Sequence, residues 1–247
     1  MAIERASAFV IKKVDFKDSD YVITLFGRGA GKFAGIAKGA RKLESKFGGV
    51  FDLLNLVEVV FYRGSNLKFI SEAEIMESWE GLKKSGEAIN VGMRCARTVG
   101  KFLEEGQREA EVFDLLEETY SCLDENQANP RVREGAFYLK FFRHLGYLPQ
   151  LDRCAKCGRS VGLEGPVNFS PKDGGVVCSS CSSGEGLSLT AGLRKVFVQL
   201  VSRPQCKLTR LKVTDRQLEK GFLLLDRYAQ YHFDQRLISR SGYTAKT

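Results

Sequence analysis

Two Cys-x-x-Cys pairs, Cys154/Cys157 and Cys178/Cys181, stand twenty residues apart in a chain of 247 residues. Four thiolates set on two such knuckles can occupy the corners of a tetrahedron, the geometry zinc takes with sulfur, and the spacing is that of a zinc ribbon. Gly158 follows the first pair and Gly174-Gly175 precede the second, where tight turns are needed. A site filled by four thiolates keeps no open position for water or substrate, so the expected cofactor is one structural zinc per chain. The competing use of such pairs, a redox dithiol or disulfide, suits an oxidising compartment or a thioredoxin-like site. Cys95, Cys122 and Cys206 stand singly and are expected to be small buried hydrophobes.

A second cluster is basic. Arg28, Lys32, Lys38, Arg41, Lys42 and Lys46 fall within nineteen residues that hold one acid, Glu44, and several glycines. Such a tract suits the phosphate backbone of a nucleic acid, with neighbouring rings such as Phe33 and Phe47 available to stack on bases. The plainer alternative makes those rings core and the cations a solvated surface. Charge is uneven elsewhere too: residues 194–247 carry twelve Lys and Arg against four Asp and Glu, whereas residues 103–125 carry nine acids and one Arg. The net charge of +8 fits a polyanionic partner. No P-loop, His-Glu-x-x-His, Gly-x-Ser-x-Gly or paired-carboxylate signature occurs, so no catalytic residues are assigned and a non-enzymatic role is expected. His144 and His232 are expected to be packing residues.

These clusters need elements to hold them. Five β-rich runs separated by Gly and polar turns occupy the first 80 residues: SAFVIKKV, DYVITLFG, KFAGIAKG, LLNLVEVVFYRG and LKFISEAEIM. In the last, Leu67, Phe69, Ala73 and Ile75 alternate with Lys68, Glu72 and Glu74 as in a half-buried strand. Five short strands with no obvious cover suggest a closed barrel of the oligonucleotide-binding (OB) type, with an SH3-like barrel nearly as good a fit. From Trp79 onward the pattern is helical. Asn129-Pro130 supplies an N-cap and first-turn proline for an apolar helix ended by Gly146, and Thr214 with Gln217 forms a capping box for a last helix. The expected class is therefore α+β: residues 1–80 an OB-fold nucleic-acid-binding domain, and residues 81–247 an α-helical domain with a zinc ribbon inserted at about 150–187. The N-terminus lacks the apolar run of a signal peptide and no stretch approaches the roughly 20 apolar residues of a membrane span, so a cytoplasmic protein with no membrane contact is expected.

The blocks DSDYVITLFGRGAGKFAGIAKGARK, YRGSNLKFISEAEIMESW, and LGYLPQLDRCAKCG followed by FSPKDGGVVCSSC occur in this order over nearly the whole chain. Together they resemble the bacterial recombination mediator family RecO, in its zinc-bearing branch. That resemblance implies a protein of DNA repair and recombination that binds single- and double-stranded DNA, anneals complementary strands, and helps load recombinase onto strands coated by single-strand-binding protein. It also implies two protein partners, RecR and the acidic C-terminal tail of single-strand-binding protein, and a nucleoid-associated location. It maps DNA binding to the basic block and metal binding to the four cysteines. For the tail, Leu193, Phe197, Leu200, Phe222 and Leu225 in the basic C-terminal part are the candidate groove walls. The alternative is a zinc-ribbon RNA-binding or transcription accessory protein, which would share both barrel and ribbon.

Overall fold

The computed structural model describes residues 3–63, 68–125, 128–184 and 186–237. Two compact units follow one another along the chain, residues 1–127 and 128–247. In the first, β1 (Ile3–Phe16), β2 (Asp20–Gly27), β3 (Gly31–Ala37), β4 (Leu56–Arg63) and β5 (Lys68–Glu77) close into a barrel in the order β1-β2-β3-β5-β4. The β3–β5 pairing is parallel and the other four pairings are antiparallel. This is the OB-type barrel expected, in which each strand pairs with two neighbours.

Alternation along each strand sends one set of side chains into the barrel. Ala8, Val10, Ile23, Leu25, Phe33, Val57, Val59, Phe61 and Ile70 form its core, joined by Phe47, Val50 and Phe51 from the β3–β4 connection. Two features depart from expectation. Phe33 and Phe47 are 2% and 4% exposed, so neither ring is available to a base. The alternation assigned to β5 is broken by a register shift: Phe61 pairs with Ile70 but Val60 pairs with Glu72, which leaves Ser71 as the extra residue of a bulge. Ile70 therefore faces the core, and Phe69 faces out.

The outward side chains of β1 and β2 are apolar where helices cover them. α1 (Gly86–Phe102) and α2 (Ala110–Glu125) belong to this first unit. Phe9 and Phe26, buried on the outside of the barrel, pack against Phe113 of α2 with ring centroids at 4.7 and 6.1 Å, and Trp79 and Tyr120 complete the cluster. The change of texture near residue 80 thus marks the end of the barrel, while the compact unit continues through two further helices.

The second unit contains α3 (Pro130–His144), a small sheet of β6 (Val167–Ser170), β7 (Gly175–Val177) and β8 (Leu187–Leu189), then α4 (Ala191–Ser202) and α5 (Asp215–Phe233). Gly146 at φ +81° ends α3 as expected, and the Thr214–Gln217 capping box opens α5. Asn129 sits at the N-cap of α3 but does not cap it; in left-handed conformation, its side-chain amide donates to the Thr209 carbonyl at 3.0 Å. Leu193, Phe197, Leu200, Phe222 and Leu225 are all 4% exposed or less, so they are helix-packing core and not groove walls. Cys95 is a buried free thiol as expected, whereas Cys122, though buried, and the exposed Cys206 are disulfide-bonded and are not the lone thiols expected. Among the described residues no helix is long and apolar enough to cross a membrane.

Gly31, where β3 starts, has φ +69°, and a Cβ there would lie 2.5 Å from the Gln107 carbonyl oxygen. Backbone strain and overlap with main chain act together at this position. Gly31→Ala is expected to lower the unfolding free energy by about 2–4 kcal/mol in urea titration, whereas Gly29→Ala, with open space around it, leaves stability nearly unchanged.

Candidate nucleic-acid interface and metal centre

The four expected metal ligands come together. The sulfurs of Cys154, Cys157, Cys178 and Cys181 all lie within 4.8 Å of one another, and Cys157 and Cys178 are 3.8 Å apart. Metal–sulfur bonds of about 2.3 Å in a tetrahedron place the sulfurs roughly 3.8 Å apart, so this set fits a tetrahedral thiolate centre. Local backbone explains the convergence. Gly158, at φ +71°, closes the first knuckle by donating to the Cys154 carbonyl at 2.8 Å, and the amides of Cys181 and Ser182 close the second on the Cys178 carbonyl at 3.1 and 3.0 Å. The Gln150 amide donates to the Gly174 carbonyl and the Val176 amide to the Gln150 carbonyl, both at 2.9 Å, and these bonds tie the segment before the first knuckle to β7. Gly175 is required at that junction, since a Cβ would lie 2.6 Å from the Gln150 nitrogen.

The thiols are not equivalent. The Cys178 backbone amide, donating to its sulfur, holds the Cys154 thiol down at about 6, and the Arg159 side chain lowers Cys157. Cys181 is pushed up to about 12, first by sharing a hydrogen with Cys178. A divalent cation bound among the four sulfurs would supply the charge that favours their thiolate forms. Arg194, buried at the start of α4, donates to the carbonyls of Leu151, Val161 and Gly162, the last two at 2.7 and 2.6 Å, and fixes the ribbon to its helix.

The six expected DNA-binding cations do not form one patch. Arg28 and Lys32 lie at the start of β3. Arg28 pairs with Asp114 of α2 at 2.9 Å. The Lys32 ammonium donates to the carbonyls of Gly100, at 2.9 Å, and Leu103, where α1 ends. Burial lowers its pKa, against the opposing pull of Glu105 and Glu104. Lys32 therefore acts as a C-terminal helix cap. Lys38, Arg41, Lys42 and Lys46 gather at the far end of the strand, about 20 Å away at roughly 3.3 Å per residue. There the Arg41 amide donates to the Ser19 carbonyl at 2.9 Å, the Gly39 amide to Asp20 at 2.8 Å, and Lys46 Nζ to the Ser71 carbonyl at 2.6 Å. These bonds hold the loop between the β1–β2 turn and the start of β5. Arg41 also meets Asp15 at 3.3 Å; Lys38 and Lys42 have no carboxylate partner among the described residues.

Sequence reasoning missed two rings here. Tyr62 and Phe69 are half-buried on the outside of the barrel, stacked at 5.7 Å and 25°, with Lys38 Nζ 5.0 Å from the Phe69 centroid. In VVFYR every residue before Arg63 is apolar or aromatic, so alternation alone does not say which of Phe61 and Tyr62 faces in.

A closed OB-type barrel followed by helices and a four-cysteine ribbon defines a two-part scaffold with a basic barrel end. Comparison with known proteins agrees with both parts: residues 1–79 match the family model described as Recombination protein O N terminal, and residues 84–241 the one described as Recombination protein O C terminal. The chain belongs to the Recombination protein O (RecO) family. Similar proteins include DNA repair protein RecO of Thermoanaerobacter sp. (strain X514), 28% identical with 95% of this chain and 94% of the relative covered. Those of Anaeromyxobacter dehalogenans (strain 2CP-C) and Rubrobacter xylanophilus are 32% and 31% identical, covering 79% and 74% of this chain and 78% and 73% of the relatives.

Lys32 and Lys42 separate the two roles of basic residues. Lys32→Ala leaves two helix-end carbonyls without their donor and is expected to cost about 1–3 kcal/mol in chemical denaturation. Lys42→Ala is expected to stay within about 0.5 kcal/mol of the parent protein.

Proposed function

We propose that this chain acts in DNA repair and recombination as a mediator that binds single- and double-stranded DNA, anneals complementary strands, and helps load recombinase onto strands coated by single-strand-binding protein. The observation that carries this reading is the match of both parts of the chain to one recombination family, on a barrel whose loop 38–46 gathers four cations. The work is binding work: cations neutralise phosphates and the barrel holds a strand, with no bond made or broken by the protein. Family membership favours this reading over an RNA-binding or transcription accessory role.

In the same reading the protein is cytoplasmic and nucleoid-associated, and RecR and the acidic tail of single-strand-binding protein are its protein partners. The C-terminal excess of positive charge supports an acidic partner by steering, although the five apolar residues first suggested as its groove belong to the core. The metal is one structural zinc held by Cys154, Cys157, Cys178 and Cys181. When bound it supplies cross-linking and charge to the ribbon, whose own residues fix the turns. Elemental analysis of reduced protein is expected to give one zinc per chain, and Cys178→Ser to lose it together with thermal stability of the second unit. A metal-free parent protein would contradict the assignment.

The decisive assay is annealing of complementary strands coated with single-strand-binding protein, without nucleotide: acceleration supports the reading, and dependence on ATP or magnesium opposes it. Binding to single strands should weaken with salt, log K falling against log salt with a slope of roughly −3 to −4 for four to six phosphates neutralised. Reversing the charge of Lys38, Arg41 and Lys42 together should reduce that slope and weaken binding on unrelated sequences alike.

A further inference from the structure

The barrel's outer surface divides in two. One side, around Phe9 and Phe26, lies under α1 and α2. On the other, cross-strand pairs link outward residues into a row that spirals over all five strands. Val14 pairs with Val22, Val22 with Ile36, Ile36 with Phe69, Phe69 with Tyr62, and Tyr62 with Ile3. All six are apolar or aromatic. The two ends are open to solvent, with Val14 44% and Ile3 74% exposed. Between them Val22, Phe69 and Tyr62 are half-buried and Ile36 is buried; an outward row of this composition is unusual on a strand surface, where polar side chains normally alternate with the core.

Its centre has a specific chemistry. Phe69 and Tyr62 lie stacked, and Lys38 stands over Phe69. Lys46 is bonded to Ser71, at the bulge that turns Phe69 outward. Lys42, with no carboxylate partner among the described residues, shares the loop with both. The acids Glu72 and Glu74 begin beyond that bulge and are exposed, so the cationic part of the row is the Ile36–Phe69–Tyr62 stretch. Flat rings beside a line of cations are what a single strand of nucleic acid requires, the rings taking base faces and the cations taking phosphates. In OB folds the β2–β3 face and the β1–β2 and β4–β5 connections are where oligonucleotides bind. Tyr62 and Phe69 flank the β4–β5 connection, and the loop of Lys38 to Lys46 is bonded to the β1–β2 turn.

We propose that Tyr62 and Phe69 form a base-stacking platform, and that Lys38, Lys42 and Lys46 hold the phosphates of the single strand whose bases lie on it. This rests on the DNA-binding reading above and adds to it the residues that distinguish single strands from duplex. In a duplex the base faces are stacked on one another and cannot reach the rings, so the platform contributes only to single-strand binding.

The test uses the full chain and three probes at one salt concentration: a labelled oligo-dT, an abasic oligonucleotide of equal length, and a duplex. The parent protein should prefer oligo-dT to the abasic strand. Tyr62→Leu with Phe69→Leu, which keeps apolar bulk, should weaken oligo-dT binding by about 5- to 30-fold and leave abasic and duplex binding and the salt slope unchanged. Tyr62→Phe should retain the parent's preference. Equal loss on all three probes, or no loss on any, would overturn the platform. Failure of the parent protein to bind any of the three would instead overturn the DNA-binding reading itself. Photocrosslinking of the unaltered protein to an oligonucleotide carrying 5-iodouracil removes any dependence on variant folding. Adducts on Tyr62 or Phe69 support the assignment, and adducts confined to other residues refute it.

Discussion

The pairing of β3 with β5 is the constraint from which the rest of the first unit follows. Once Gly35, Ile36 and Ala37 meet Lys68, Phe69 and Ile70 in parallel, the sheet is closed and every strand has an inside and an outside. Gly35 is part of the closure, because a Cβ there would lie 2.9 Å from Ile70. Inside, the aromatic and branched residues fill one core. Outside, a side chain must be covered by a helix, solvated, or used for binding. Phe9 and Phe26 take the first course under α2; Glu72 and Glu74 take the second; Tyr62 and Phe69, with Lys38 beside them, are left for the third.

Closure also explains why the basic block divides. Lys32 and Lys38 stand near opposite ends of one strand, so a tract that is continuous in sequence serves two ends of the barrel. At one end a lysine completes a helix, and at the other the cations gather in a loop tied to the β1–β2 turn. The second unit solves a different problem by different means. Its ribbon has three strands of only three or four residues each, which bury little apolar surface of their own. The buried Arg194, Phe169 and the four-sulfur cluster hold it in place.

Much of this was legible in the sequence, for identifiable reasons. The strands announce themselves through Gly-bounded β-branched runs, the capping box of α5 through Thr214 and Gln217, and the four-sulfur cluster through cysteine spacing alone. What was not legible depended on register. The bulge at Ser71 reverses the facing of Phe69 relative to Ala73, and no local pattern marks it. Phe33 follows a lysine yet turns inward, because a strand's neighbours on the chain face opposite ways, and Phe47, from the β3–β4 connection, packs into the same core beside Phe51. The apolar residues of α4 and α5 carry the spacing of a buried face, and a buried face looks the same in sequence whether a partner or another helix of the same unit covers it. Asn129 had the identity of a cap, but its backbone is left-handed and its side-chain amide donates to the Thr209 carbonyl, while its oxygen caps no helix amide.

The central claim is that the uncovered side of the barrel, from the 38–46 loop across Phe69 to Tyr62, receives a single DNA strand. Hydrogen exchange of the full chain with and without saturating oligo-dT measures this directly. The account predicts slowed exchange in β4 near Tyr62, in β5 near Phe69 and in residues 38–46, with α1, α2 and the Arg28–Lys32 turn unchanged. Protection confined to α1, α2 or the cysteine ribbon, with the barrel strands unaffected, would contradict it.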